Sequence, residues 1–229
     1  AEVSRNAPQK DTATYQAPEN QTQAVLQDSS VKKGTSPLPA EAGNDPVLAT
    51  LYLIGKATSF HIWLTETEIQ AKGVYAVKGI SFFHASMDSF ATELESRGSV
   101  TAKNLPAVLK SPGAKYTFTL SGKMNGIKIS ENLTAIPPDM LISLGDSLKA
   151  IAERECAVVV KLPETDRTIL EDDLPFVVEG SYSGVQKILG ELTGSGKNKI
   201  YRLVIRPAGN GKNFNGIRAS FSLRADSSL

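Results

Sequence analysis

The spacing of apolar residues changes character along residues 46–229, and each change predicts an element. Behind Asp45-Pro46, the residues Val47, Leu48, Leu51, Tyr52 and Ile54 fall at helical intervals, with Asp placed to cap and Pro in the first turn. Residues 61–70 (HIWLTETEIQ) and 73–80 (GVYAVKGI) are extended in character, and Ala71-Lys72-Gly73 between them reads as a turn. Phe83, Met87, Phe90, Ala91 and Leu94 mark one face of a second helix, which Gly98 is placed to stop. After a Pro-containing loop, Tyr116, Phe118 and Leu120 alternate with polar residues through 115–121, and Gly122 to Gly126 turns the chain into Ile127-Lys128-Ile129. The predicted order is αββαββ.

The same order returns. Pro137-Pro138-Asp139 opens a helix whose face is Leu141, Leu144, Leu148, Ile151 and Ala152. Strands over 156–162 and 174–182 follow, joined by the acidic loop ETDRTILEDD. Val185, Ile188, Leu189 and Leu192 form a short helix, and 199–206 and 216–224 close as a hairpin. Gly79 and Gly180 each stand where a strand is expected to leave the sheet for a helix, a place that favours a residue without Cβ. Two αββαββ runs predict an α+β fold of two tandem circularly permuted ferredoxin-like units, 46–135 and 136–229. Each is an antiparallel sheet with its helices on one face. Residues 1–45 are polar, aperiodic and poor in apolar clusters, which reads as a disordered or extended N-terminal arm or linker.

The second run carries a resemblance. Leu174-Pro175-Phe176-Val177-Val178-Glu179-Gly180-Ser181-Tyr182 has the form of a Pro, an apolar stretch and Gly-x-Tyr. An amphipathic helix from Val185 to Leu192 comes next, then a strand ending Leu203-Val204-Ile205-Arg206-Pro207. Over about ninety C-terminal residues this resembles the periplasmic part of PilO-type proteins of type IV pilus machines and the related M protein of type II secretion. The resemblance implies a non-enzymatic scaffold of the periplasm, associated with the inner membrane through an anchor outside this sequence. It also implies a homodimer, or a heterodimer with a similar protein. Family members usually carry a membrane helix and a coiled coil before this domain, whereas the residues here have a polar arm and a further αββαββ run.

Charge and chemistry change the picture little. The 25 basic and 24 acidic residues nearly cancel, which argues against a polyphosphate partner. No run of about 18 apolar residues is present. His61 and His84 have no Cys or carboxylate set at metal-ligand spacing, so no metal, cofactor or catalytic group is expected. The single cysteine, Cys156, opens an apolar run and is expected as a small buried hydrophobe. Gly194-Ser195-Gly196-Lys197 follows a helix and lacks both the earlier Gly and the Ser or Thr of a phosphate loop, so it reads as a cap and turn. Glu171-Asp172-Asp173 reads as a solvated acidic loop.

One surface is singled out. If the last hairpin pairs apolar with apolar, Arg202, Arg206, Arg218 and Arg224 share the open face of the sheet, a candidate docking surface for an acidic protein partner. The alternative is an RNA-binding protein with an RRM-like sheet. It is suggested by Lys78-Gly79-Ile80-Ser81-Phe82-Phe83 but disfavoured by the expected absence of outward aromatics.

Overall fold

In a computed structural model describing residues 45–104, 116–127, 132–163, 174–209 and 216–227, the first element is α1 (Pro46–Ala57). One oxygen of Asp45 accepts from the backbone N–H of Val47 and Leu48 at 2.9 and 3.1 Å, answering two of the donors that a helix start leaves open. β1 (Ile62–Gln70) and β2 (Val74–Ser81) form an antiparallel hairpin, with Gly73 at φ 70° in the turn. Then come α2 (His84–Arg97), β3 (Gly98–Asn104), β4 (Tyr116–Met124) and the two-residue β5 (Leu133–Thr134). α3 (Pro138–Arg154), β6 (Val158–Lys161), β7 (Phe176–Gly180), α4 (Tyr182–Thr193), β8 (Asn198–Pro207) and β9 (Ile217–Asp226) complete the described chain.

These strands join one antiparallel sheet in the order β3-β4-β2-β1-β8-β9-β7-β6, with β5 beside the end of β9. The seam between the two runs is β1 against β8, paired over Thr67–Gln70 and Arg202–Ile205. Along the strands one parity is buried: Thr67 and Ile69, Tyr75 and Val77, Phe118 and Leu120, Leu203 and Ile205, Ala219 and Phe221, Phe176 and Val178. The opposite parity carries the charges (Glu66, Glu68, Lys78, Arg202, Arg218), so the helices cover a single face. α2 packs on β3, β4 and β2, α1 on β1 and β8, α4 on β7, β8 and β9, and α3 on β6. Their apolar residues and those of the sheet belong to one continuous core. None of these helices is long and apolar enough to cross a membrane.

α1 lies over the seam and is buried nearly all round, from Val47 to Ile54. Its cap crosses the seam too: the second oxygen of Asp45 accepts from the N–H of Ile200 at 2.9 Å, beside a bulge in β8. Burial pushes the Asp45 carboxyl above its usual range, against three backbone donors and the nearby Lys199 charge.

Several local expectations need correction. Gly98 stops α2 as expected, but the chain then runs straight into β3, which Gly98 opens and where a Cβ would run into the carbonyl of Lys123 on β4. β4 therefore takes β3 as its partner, while Ile127 follows β4 and Lys128-Ile129 lie outside the described residues. Gly79 sits inside β2, not at its exit, and its missing Cβ leaves room for the ring of Phe118 at the paired position. Gly180 does stand at the exit of β7, where a Cβ would come within 2.9 Å of Ala157. Cys156 is exposed at φ 54°. It occupies the left-handed position after α3, with Ala157 N–H donating to Ala152, a closure that usually takes glycine. The acidic loop with Glu171-Asp172-Asp173 lies outside the described residues.

Candidate functional site

The four arginines do come to the open face, and each meets a partner within the chain. Arg202 donates to Glu68 at 2.9 Å, Arg206 to Glu66 at 2.7 Å, and Arg218 pairs with Glu179 at 2.7 Å. Arg224 lies over the ring of Tyr201, 5.0 Å from its centroid. Glu66 is shared between Arg206 and Lys78, also at 2.7 Å, and those two cations, Lys78 foremost, hold its carboxyl below the usual range. Cross-strand pairing thus balances much of the positive charge. Two of these pairs, Arg202–Glu68 and Arg206–Glu66, bridge the seam, so their first effect is to register β8 on β1.

Beyond Thr67 and Ile205 the seam opens. The β1 ladder carries a bulge between Leu64 and Glu66, and Pro207 on β8 has no N–H to give. β1 stays with β2 while β8 stays with β9, and the widening gap is an apolar groove of about 360 Å³. α1 supplies its roof with Leu51, Ile54 and Gly55; the splayed strands supply Ile62, Leu64, Ile205 and Ile217. Tyr182, the first residue of α4, closes the back. Gly55 lets it do so, because a Cβ there would stand 3.1 Å from the Tyr182 hydroxyl. Burial of that hydroxyl end pushes the phenol up to about 12. Tyr182 is the Tyr of the Gly-x-Tyr segment, so the segment that carries the resemblance also builds the groove wall.

Aromatic rings crowd the rim. Phe60 is 89% exposed, and Trp63 and Phe82 are each 45% exposed. His61 packs between Phe60 and Phe83, with ring centroids 3.6 and 4.9 Å away. Monomers rarely leave such large apolar side chains side by side in water unless something binds there. The polar groups lining the groove include Thr58, Thr67, the Trp63 indole N–H, the Tyr182 phenol and the Arg206 guanidinium, which Glu66 already holds. That set can orient a ligand by a few hydrogen bonds; it holds no pairing of nucleophile and base.

Of the remaining candidates, His84 pairs through Nδ1 with Asp88 at 2.7 Å on the exposed start of α2. No cluster of three or more metal-ligating side chains occurs among the described residues. Gly194 caps α4 and Gly196 turns the chain at φ 75°. The groove itself was missed by the sequence reading, which placed Phe83 on the buried face of α2, whereas it precedes that helix and is exposed. The available signal was parity: Trp63 pairs with Ile80 and so falls on the side opposite Ile62 and Ser81. No protein-family model matches the chain, and neither a curated protein nor a solved structure matches it.

Proposed function

We infer that the chain is a non-enzymatic protein-interaction scaffold, built from two circularly permuted ferredoxin-like units joined edge to edge, and that its groove receives an apolar segment of a partner protein. The reading of two like units is supported by the repetition of strand order between the runs, β3-β4-β2-β1 and then β8-β9-β7-β6. The observation that carries the reading is the apolar groove at the open end of the seam, ringed by Phe60, Trp63 and Phe82. Exposed aromatics around a preformed cleft are the usual anchors of protein recognition, because they bury large area at little entropic cost. The PilO-type resemblance supports the same class of role, in a periplasmic assembly machine of the type IV pilus or type II secretion kind. The segment that carries that resemblance spans the end of β7 at Gly180, the start of α4 at Tyr182 and the end of β8 at Pro207.

A photoreactive phenylalanine analogue at Phe60, in the full-length protein in its own cells, tests this. The expected result is one discrete protein adduct, absent when the label replaces exposed Lys187 on α4, and lost when Gly55→Leu drives Tyr182 into the groove. Equal labelling from both positions, or no adduct from Phe60, would overturn the reading.

A further inference from the structure

The seam contains a rule for adding more sheet. Position by position, β8 in the second run is the counterpart of β3 in the first, β9 of β4, β7 of β2 and β6 of β1. At the seam, the last strand of one run (β1) pairs antiparallel with the first strand of the other (β8). The two ends of the sheet are then β3 and β6, which are the counterparts of the two strands that made the seam. Every neighbouring pair in the sheet is antiparallel, so β6 of one molecule meets β3 of another in the sense in which β1 meets β8. We propose that copies of this chain associate head to tail, β6 of one against β3 of the next, continuing the sheet across molecules.

Two further observations point to a second copy as the occupant. β6 reads Val158-Val159-Val160-Lys161, with Val158 63% and Val160 44% exposed. Natural edges are commonly guarded by charge, proline or brevity; this one is short but carries three β-branched residues before its single lysine. Its four residues equal the four paired on each side of the seam. The helix layer repeats the pattern as well. α1, first helix of its run, is enclosed because α2 and α4 lie on either side of it. Its counterpart α3 packs on α4 and leaves Ile142 and Met140 exposed beside its buried stripe. In the continued sheet α2 of the next molecule takes the place beside α3 that α4 takes beside α1.

Such a contact uses two different surfaces, so it does not close on itself as a two-fold dimer does; it extends into chains or rings. It also involves none of the groove residues, and it stands or falls apart from the reading of the groove.

Two blocked variants of the whole chain test it. Val158→Lys with Val160→Lys charges the β6 edge, and Ser99→Lys with Thr101→Lys charges the β3 edge; all four positions are exposed, so the fold is kept. In analytical ultracentrifugation the parent's mass should rise with concentration past the dimer. Each blocked variant should remain monomeric alone, and an equimolar mixture should form dimers and stop there, since one good edge of each kind remains. Phe60→Ser should associate as the parent does. A parent that stays monomeric at every concentration, a blocked variant that associates like the parent, or a mixture with no dimer would each overturn the proposal. Loss of association in Phe60→Ser would do the same, by assigning the contact to the groove.

Discussion

α1 and α3 hold the same station in the two runs, yet they live under different conditions. α3 has seventeen residues and shows one buried stripe, Leu141, Gly145, Leu148 and Ala152, as a helix at the end of a layer should. α1 has twelve residues and buries Pro46 to Leu51, Leu53 and Ile54, because sheet and helices enclose it. Their caps differ in kind. Pro137 precedes α3 with no side-chain cap, whereas Asp45 holds three backbone donors, one of them across the seam. The helix over the seam is thus enclosed and tied to both runs, whereas the helix at the end of the layer leaves Met140 and Ile142 exposed.

Removing the Asp45 carboxylate should break the comparison most severely. Asp45→Ala loses a cap, worth about 1–2 kcal/mol, and strands the buried Ile200 N–H, at about 1–3 kcal/mol. We expect a total near 3 kcal/mol in denaturant unfolding. Asp139→Ala, in the first turn of α3, should cost only about 0.5 kcal/mol through the helix dipole. Asp45→Asn should fall between, because its amide can serve the cap but presents a donor to a donor at Ile200.

The two glycines sharpen the contrast between an enclosed strand and one nearer the end. Gly79→Ala places a methyl 2.5 Å from Phe118 and 2.8 Å from the Trp63 carbonyl, and should cost about 2–3 kcal/mol. Gly180→Ala has one close approach, to the Ala157 methyl at 2.9 Å next to the short β6, with Ala157 Cα and Val185 at ordinary contact distance, and should cost about 1 kcal/mol. Thermal melts of both variants decide it.

Tyr75 gives a pH test of the first run. Burial, with a smaller contribution from Glu95, pushes its phenol up to about 12. The folded chain keeps that proton more tightly than the unfolded one, so stability is whole below the unfolded value of about 10 and is lost as pH rises toward 12. Tyr75→Phe should flatten this alkaline loss in denaturant titrations. It should not weaken the protein at neutral pH, since the buried hydroxyl has no hydrogen-bond partner.

The smallest expected effect is a gain. Cys156→Gly relieves a side chain at φ 54° and should stabilise α3 by about 1 kcal/mol, read as a raised melting temperature.

Most single elements were legible in the sequence, because β2, β4 and β7 alternate in burial and α2, α3 and α4 each bury one face. β3 was not, since GSVTAKN has few apolar residues and owes its place to β4. Nor was the seam: Ile69 and Leu203 meet across more than a hundred residues, and strand period fixes which side a residue faces, not which edge finds which. The arginines were legible as a face, but Glu66, Glu68 and Glu179, which balance three of them, sit on other strands. The groove was hidden for the same reason. It exists only where two distant strands part.

Native-state amide exchange of the whole chain tests the central claim, that one seam makes both runs a single cooperative body. Amides of Ile69, Tyr75, Leu203 and Phe221 should exchange with one common free energy, equal to that of global unfolding, and Asp45→Ala should lower all four together. If Leu203 and Phe221 kept their protection while Ile69 and Tyr75 lost theirs, the two runs would be independent domains and the account would be wrong.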